Sequence, residues 1–243
     1  MPLVSVTSDS SKKVIGDTLA RAWSLGAGPG DKRLVVDIDS TIREVFGRRK
    51  GGAAYGYTKV LGYHPILATR ADTGEILHAR LRKGSANTQR GTKRFIQELV
   101  ARLHRAGATG NITMRFDSGY WSNDTIKVLG RLGVSFTKAV PTGVKAIAAC
   151  IGEIDESNWV AIGYPDGGEA MVTETMYKGR RLVVRRTRLR GAQATLWPNW
   201  RHFAFMTVDV RVIPQSNVQV IHHSAPAFLS TPSHLLAPVD VSR

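Results

Sequence analysis

The run Leu34-Val35-Val36-Asp37-Ile38-Asp39-Ser40 is apolar, β-branched and bounded by turn residues, a pattern that predicts a buried strand. Asp37 and Asp39 stand two apart in it, so both carboxylates leave one face of the strand, roughly 7 Å from each other. A carboxylate on a central strand loses hydration, and its burial costs several kcal/mol unless cations or hydrogen bonds replace the water. A divalent cation would meet that need. So would an ordinary arrangement in which the pair caps the turn near Thr41 and pairs with Arg33 or Arg43. On this feature alone the ordinary arrangement is the better reading.

Working outward, a glycine-rich loop (Gly47, Gly51, Gly52, Gly56) leads to two further strands over residues 61–69 and 75–81, antiparallel about Asp72-Thr73-Gly74. Before the first strand, residues 8–11 offer caps for a helix through Val14, Leu19, Ala22 and Trp23 that stops in the loop 26–31. After the third, Phe95, Ile96, Leu99, Val100 and Leu103 recur at helical spacing within 88–105. Residues 111–117 alternate as a strand ending in Asp117, 122–132 read as a helix, 134–139 as a strand and 142–151 as a helix. The order βββαβαβα predicts an α/β fold with a mixed five-stranded sheet flanked by helices. Beyond Gly152 the texture changes to short strands (159–164, 169–177, 181–190, 202–207), expected as a small β-rich insertion. Past Val208 four prolines interrupt every segment. The expected division is therefore a helical segment over 1–30, a core over 31–151, the insertion over 152–208 and an irregular tail over 209–243.

The 243 residues carry 34 Lys and Arg against 19 Asp and Glu, a net charge of +15. That places the chain among binders of polyanions, and double-stranded DNA is the expected partner. No apolar run approaches the ~20 residues that span a bilayer, the first thirteen residues lack the apolar core of a signal peptide, and the single Cys150 can form no internal disulfide. The expectation is a cytoplasmic protein with no membrane partner.

Asp117, in Arg115-Phe116-Asp117-Ser118-Gly119-Tyr120, supplies a second acid at a strand end. If the first and fourth strands lie side by side, Asp39 and Asp117 can share a hard cation held by oxygen ligands. Read alone, Asp-Ser-Gly is equally an N-cap for the helix after Gly119. Three stretches together resemble a known family. Residues 35–41 (Val-Val-Asp-Ile-Asp-Ser-Thr) are similar to the first acidic motif of bacterial insertion-sequence transposases. Gly62-Tyr63-His64-Pro65-Ile66-Leu67 is similar to its usual companion, and residues 115–120 to the second acidic motif. The resemblance covers about residues 8–208 and is nearest to insertion-sequence family thirteen-eighty, within the group carrying the transposase DDE domain. It implies an RNase H-like core and Mg²⁺ (or Mn²⁺) ions that support in-line attack on DNA phosphodiesters. It also implies Asp39 and Asp117 as catalytic and metal-binding acids, and a homodimer that pairs two element ends. Asp39 precedes Ser-Thr as the family's first acid precedes a hydroxyl residue; Asp37 stays an alternative or supporting metal ligand.

The family's third acid is a Glu on a helix after the insertion, whereas the last glutamate here is Glu174. No third acid is assigned. The expectation is a chain truncated at both ends and impaired in cleavage and strand transfer, or a catalytically inactive DNA-binding remnant.

Lys178, Arg180, Arg181, Arg185, Arg186, Arg188 and Arg190 place seven cations within thirteen residues, a density that repels itself without an anion. Phosphate is the expected counter-charge, giving duplex binding that fades as salt rises, though a solvated basic hairpin has the same pattern. Trp197 and Trp200 flank this run. Arg48, Arg49 and Lys50 form a second candidate DNA contact. His64 is expected to be structural, and His202 and the pair His222-His223 lack metal-ligand spacing.

Overall fold

The computed structural model describes residues 4–47, 50–120, 122–164, 168–188 and 200–208. Strand β1 (Leu34–Ser40) forms where expected: Leu34, Val36 and Ile38 are buried on one face, and Val35, Asp37 and Asp39 are half-buried on the other. It pairs antiparallel with β5 (Ile66–Arg70) and parallel with β7 (Ile112–Phe116). β5 pairs antiparallel with β6 (Ile76–Arg80), and β7 pairs parallel with β8 (Ser135–Val140). Between these strands run α2 (Thr92–Arg105) and α3 (Asn123–Arg131), which pack beside each other. Helix α1 (Val4–Ala22), continued by a π-helical turn over Trp23–Ala27, docks against β6 with Leu19 and Trp23 in the core. The Trp23 indole Nε1 donates to the Glu75 carboxylate at 3.1 Å.

Helix α2 buries the whole predicted stripe from Phe95 to Leu103 but starts at Thr92 rather than at residue 88. Arg82 explains the delay. Its Nη1 takes the carbonyls of Asn87, Thr88 and Arg90 at 3.2, 2.9 and 3.0 Å, which holds that stretch as turns, and Gly91 precedes the helix at φ 78°, outside the helical region.

The expected strand over 61–69 is two strands. Pro65 cannot donate to a ladder, and the chain breaks there. β4 (Leu61–Tyr63) leaves the main sheet for a small one with β2 (Arg43–Glu44) and β3 (Ala54–Tyr55), in the order β2-β4-β3. Gly62 and Gly84 permit this, because a Cβ on either would strike backbone: the Arg43 carbonyl for Gly62, the Ala54 and Gly62 carbonyls for Gly84.

After α4 (Lys145–Gly152) come β9 (Val160–Ile162), β10 (Glu169–Tyr177), β11 (Arg180–Arg188) and β12 (Arg201–Thr207). In place of a five-stranded sheet with a separate β-rich insertion there is one nine-stranded sheet, ordered β6-β5-β1-β7-β8-β12-β11-β10-β9. β12 pairs antiparallel along the free side of β8, from Ala204 opposite Val140 to Thr207 opposite Thr137, so the later strands extend the first sheet. The tail over 209–243, which contains His222 and His223, lies outside the described residues.

Candidate active site at the ends of two parallel strands

Parallel pairing of β1 with β7 sets Asp37 level with Arg115 and Ile38 level with Phe116. Asp39 and Asp117 follow these last paired residues on adjacent strands. By the alternation of a strand, Asp37, Asp39, Arg115 and Asp117 rise on the same face, away from the buried side chains Ile38 and Phe116.

The two acids of β1 then part company. Arg115 grips Asp37 with two bonds, Nε to Oδ1 at 2.5 Å and Nη2 to Oδ2 at 2.6 Å. The expected partners Arg33 and Arg43 are not the ones used: Arg33 Nε donates to the Thr113 hydroxyl at 3.1 Å. Asp39 instead accepts the Ser40 backbone N–H at Oδ1, at 2.7 Å. With both oxygens of Asp37 held by a guanidinium, Asp39 is the acid left facing Asp117.

Asp117 stands at the end of β7, before a 3₁₀ turn, and is not the N-cap of the helix that follows, whose N-cap is Ser122. The Gly119 and Tyr120 backbone N–H groups of the 3₁₀ turn Ser118–Tyr120 favour the charged form of its carboxylate, while the Tyr120 N–H bonds the Asp117 main-chain carbonyl at 3.4 Å. Asp117 Oδ1 is nevertheless buried without a hydrogen-bond partner. Burial first, and the neighbouring Asp39 charge second, push its pKa above the usual carboxylate value, against those N–H groups and Lys138. A buried acceptor with no donor, beside a second carboxylate, costs free energy as it stands.

Lys138, on the inward face of β8, was not singled out from the sequence, although a lysine at an apolar position of an alternating strand is a signal. It is fully buried, its Nζ donates to the Tyr120 carbonyl and lies 5.7 Å from the Phe116 ring centroid. Burial pushes its pKa down to about 7, with the Asp117 carboxylate opposing the shift.

Whether the site suits a divalent ion turns on this donor set. Two carboxylates from neighbouring strands, one with a buried unpartnered oxygen, fit a hard cation that takes one or two acids and completes its shell with water and phosphate oxygens. Among the described residues no cluster of three or more His, Cys, Asp or Glu could hold a metal.

The basic strand β11 differs from expectation. It is interior, paired with β10 on one side and β12 on the other, and Arg185 and Arg186 are buried. Arg186 makes two bonds to Glu156, at 2.7 and 2.6 Å, with its guanidinium 4.1 Å from the Trp159 ring and 4.5 Å from Trp200. Arg185 lies over Phe203 and Tyr164. Arg181 pairs with Glu174, and Arg188 pairs with Glu169 and stacks on Trp200 at 4.6 Å. The charges of Arg181, Arg186 and Arg188 are matched within the fold by acids of β10 and the turn before β9. Lys178 and Lys50 are exposed and Arg180 is half-buried; Arg48, Arg49, Arg190 and Trp197 lie outside the described residues. Trp159, Arg186, Trp200 and His202 line a cavity of about 410 Å³ that includes none of the candidate acids.

No curated protein matches the chain. By structure it is similar to the piggyBac transposase in a synaptic complex with hairpin DNA, at 12% identity and a TM-score of 0.44, over 75% of this chain and 35% of that one. It is also similar to the Argonaute of Marinitoga piezophila in complex with 5′ OH guide RNA, at 10% identity and a TM-score of 0.30, over 73% of this chain and 23% of that one. The chain thus spans about a third of the piggyBac protein's length. Residues 12–194, which hold both candidate acids, match the model of the transposase DDE domain, group 1. The chain belongs to the DDE transposase family.

Proposed function

We propose that the chain carries the catalytic domain of a bacterial DNA transposase, nearest to insertion-sequence family thirteen-eighty, and that Asp39 and Asp117 are its catalytic acids. The strand order β6-β5-β1-β7-β8, antiparallel about β5 and parallel from β1 to β8, supports an RNase H-like core. The observation that carries the reading is the buried, unpartnered Asp117 oxygen beside Asp39 at the ends of two parallel strands.

Asp39 and Asp117 would hold Mg²⁺ or Mn²⁺, which supplies a Lewis acid for the phosphoryl oxygen and a more acidic bound water or hydroxyl. The chain's own residues do the rest. The bond from the Ser40 N–H orients the Asp39 carboxylate, and Lys138 restrains the Tyr120 carbonyl near Asp117. Arg115 holds Asp37 turned aside through two hydrogen bonds, leaving it a supporting role. The +15 net charge favours the approach of duplex DNA, with Lys50, Lys178 and Arg180 as the accessible described candidates for phosphate contact. A homodimer would bring two element ends together.

The second reading, a DNA-binding remnant with little catalysis, is favoured by the lack of a third acid beside the pair among the described residues. Nicking separates the two. Supercoiled plasmid and labelled duplex are incubated with the purified chain in Mg²⁺, Mn²⁺ or EDTA, beside Asp39→Asn and Asp117→Asn. The catalytic reading predicts metal-dependent nicks that either substitution reduces at least a hundredfold. DNA binding in all samples with no nicks in any would replace it with the remnant.

A further inference from the structure

Two motifs of the sequence meet in one chain of hydrogen bonds running from His64 through Ser40 to Asp39. His64, from Gly62-Tyr63-His64-Pro65, is 3% exposed. Its Nδ1 lies 2.6 Å from the Ala86 carbonyl and its Nε2 3.0 Å from the Ser40 hydroxyl. A carbonyl only accepts, so Nδ1 donates to Ala86, and Nε2 is the ring's link to the Ser40 hydroxyl. Ser40 also acts through its backbone, since its N–H is the donor that holds Asp39 Oδ1 at 2.7 Å. Fixing the Ser40 side chain thereby fixes the amide that aims the first acid.

We infer that His64 is a positioning residue: through Ser40 it sets the direction of the Asp39 carboxylate. The inference rests on the proposed metal site and deepens it. A histidine gripping a backbone carbonyl with one nitrogen and a serine with the other has a fixed ring plane, which a merely space-filling residue would not need. Partners that orient metal ligands from behind commonly change ion affinity about 10- to 100-fold when removed.

The test is Mn²⁺ titration of the full chain without DNA, followed by electron paramagnetic resonance, with melting curves for each variant. Ser40→Ala and His64→Leu should each weaken Mn²⁺ binding about tenfold, Ser40→Thr should stay near wild type because it keeps the hydroxyl, and the double variant should bind no more weakly than His64→Leu. Wild-type affinity in Ser40→Ala overturns the inference while leaving the metal site standing. So does a lower melting temperature in His64→Leu with affinity unchanged. Should His64→Leu fail to fold, Ser40→Ala decides alone, since it cuts the same link with the imidazole in place. A wild-type chain that takes up no Mn²⁺ removes the metal reading itself, a different result from equal affinities.

Discussion

At the scale of the residue, Asp117 trades stability for a site. Its pKa is raised in the fold, so its contribution to stability is complete below the ordinary carboxylate value and lost as pH rises through the folded value. Near neutrality the ionised side chain is a cost. Asp117→Asn should therefore stabilise the metal-free chain at pH 7, by on the order of 1 kcal/mol, and make little difference at pH 3. Urea unfolding in EDTA at the two pH values measures this, and destabilisation at pH 7 would mean that Oδ1 has a donor. The position of Asp39 and Asp117 at the ends of neighbouring strands was legible in the sequence because the apolar alternation of both strands marks where they end. The fate of Asp37 was not, since choosing Arg115 over Arg33 or Arg43 requires the parallel register of β1 on β7.

At the scale of the element, β11 shows how a charge run misleads. Seven cations in thirteen residues look like a surface for phosphate, but the count does not reveal that both edges of the strand are paired or that Trp159 and Trp200 enclose Arg186. Arg186→Ala should lower the melting temperature, with loss of the two ring contacts costing about 1–2 kcal/mol. Its effect on duplex affinity should be no larger than unfolding explains. Calorimetry paired with DNA binding by fluorescence anisotropy checks this; an unchanged melting temperature with weakened binding would return Arg186 to the DNA surface. Helix α2 and strands β1 and β7 were readable because one face of each is uniformly apolar. The break at Pro65 and the delayed start of α2 depend on contacts made by Gly62, Gly84 and Arg82 with distant backbone.

At the scale of the whole molecule, the single nine-stranded sheet was out of reach of the sequence, because joining β12 to β8 is a pairing across more than sixty positions that no local pattern encodes. The same core carries a pH liability. His78 is fully buried, stacked on Phe95 at 4.5 Å, with Nε2 3.3 Å from Glu98. Burial, then the Arg102 charge, pushes its pKa down to about 4, so at neutral pH the contact with Glu98 is a hydrogen bond from a neutral ring. A lowered base gives stability that is complete above its ordinary value near 6.5 and is lost as pH falls toward 4. Unfolding free energy should fall between those limits by at most about 1.4 kcal/mol per pH unit from this group, and His78→Gln should flatten that window.

The pairing of Asp39 and Asp117 around one ion is tested most directly by Mn²⁺-soaked crystals measured at the manganese absorption edge. The account predicts an anomalous peak about 2.1–2.5 Å from an oxygen of each carboxylate, absent in Asp117→Asn. A well-ordered site without that peak, or with the ion bound at a place touching neither acid, would contradict it.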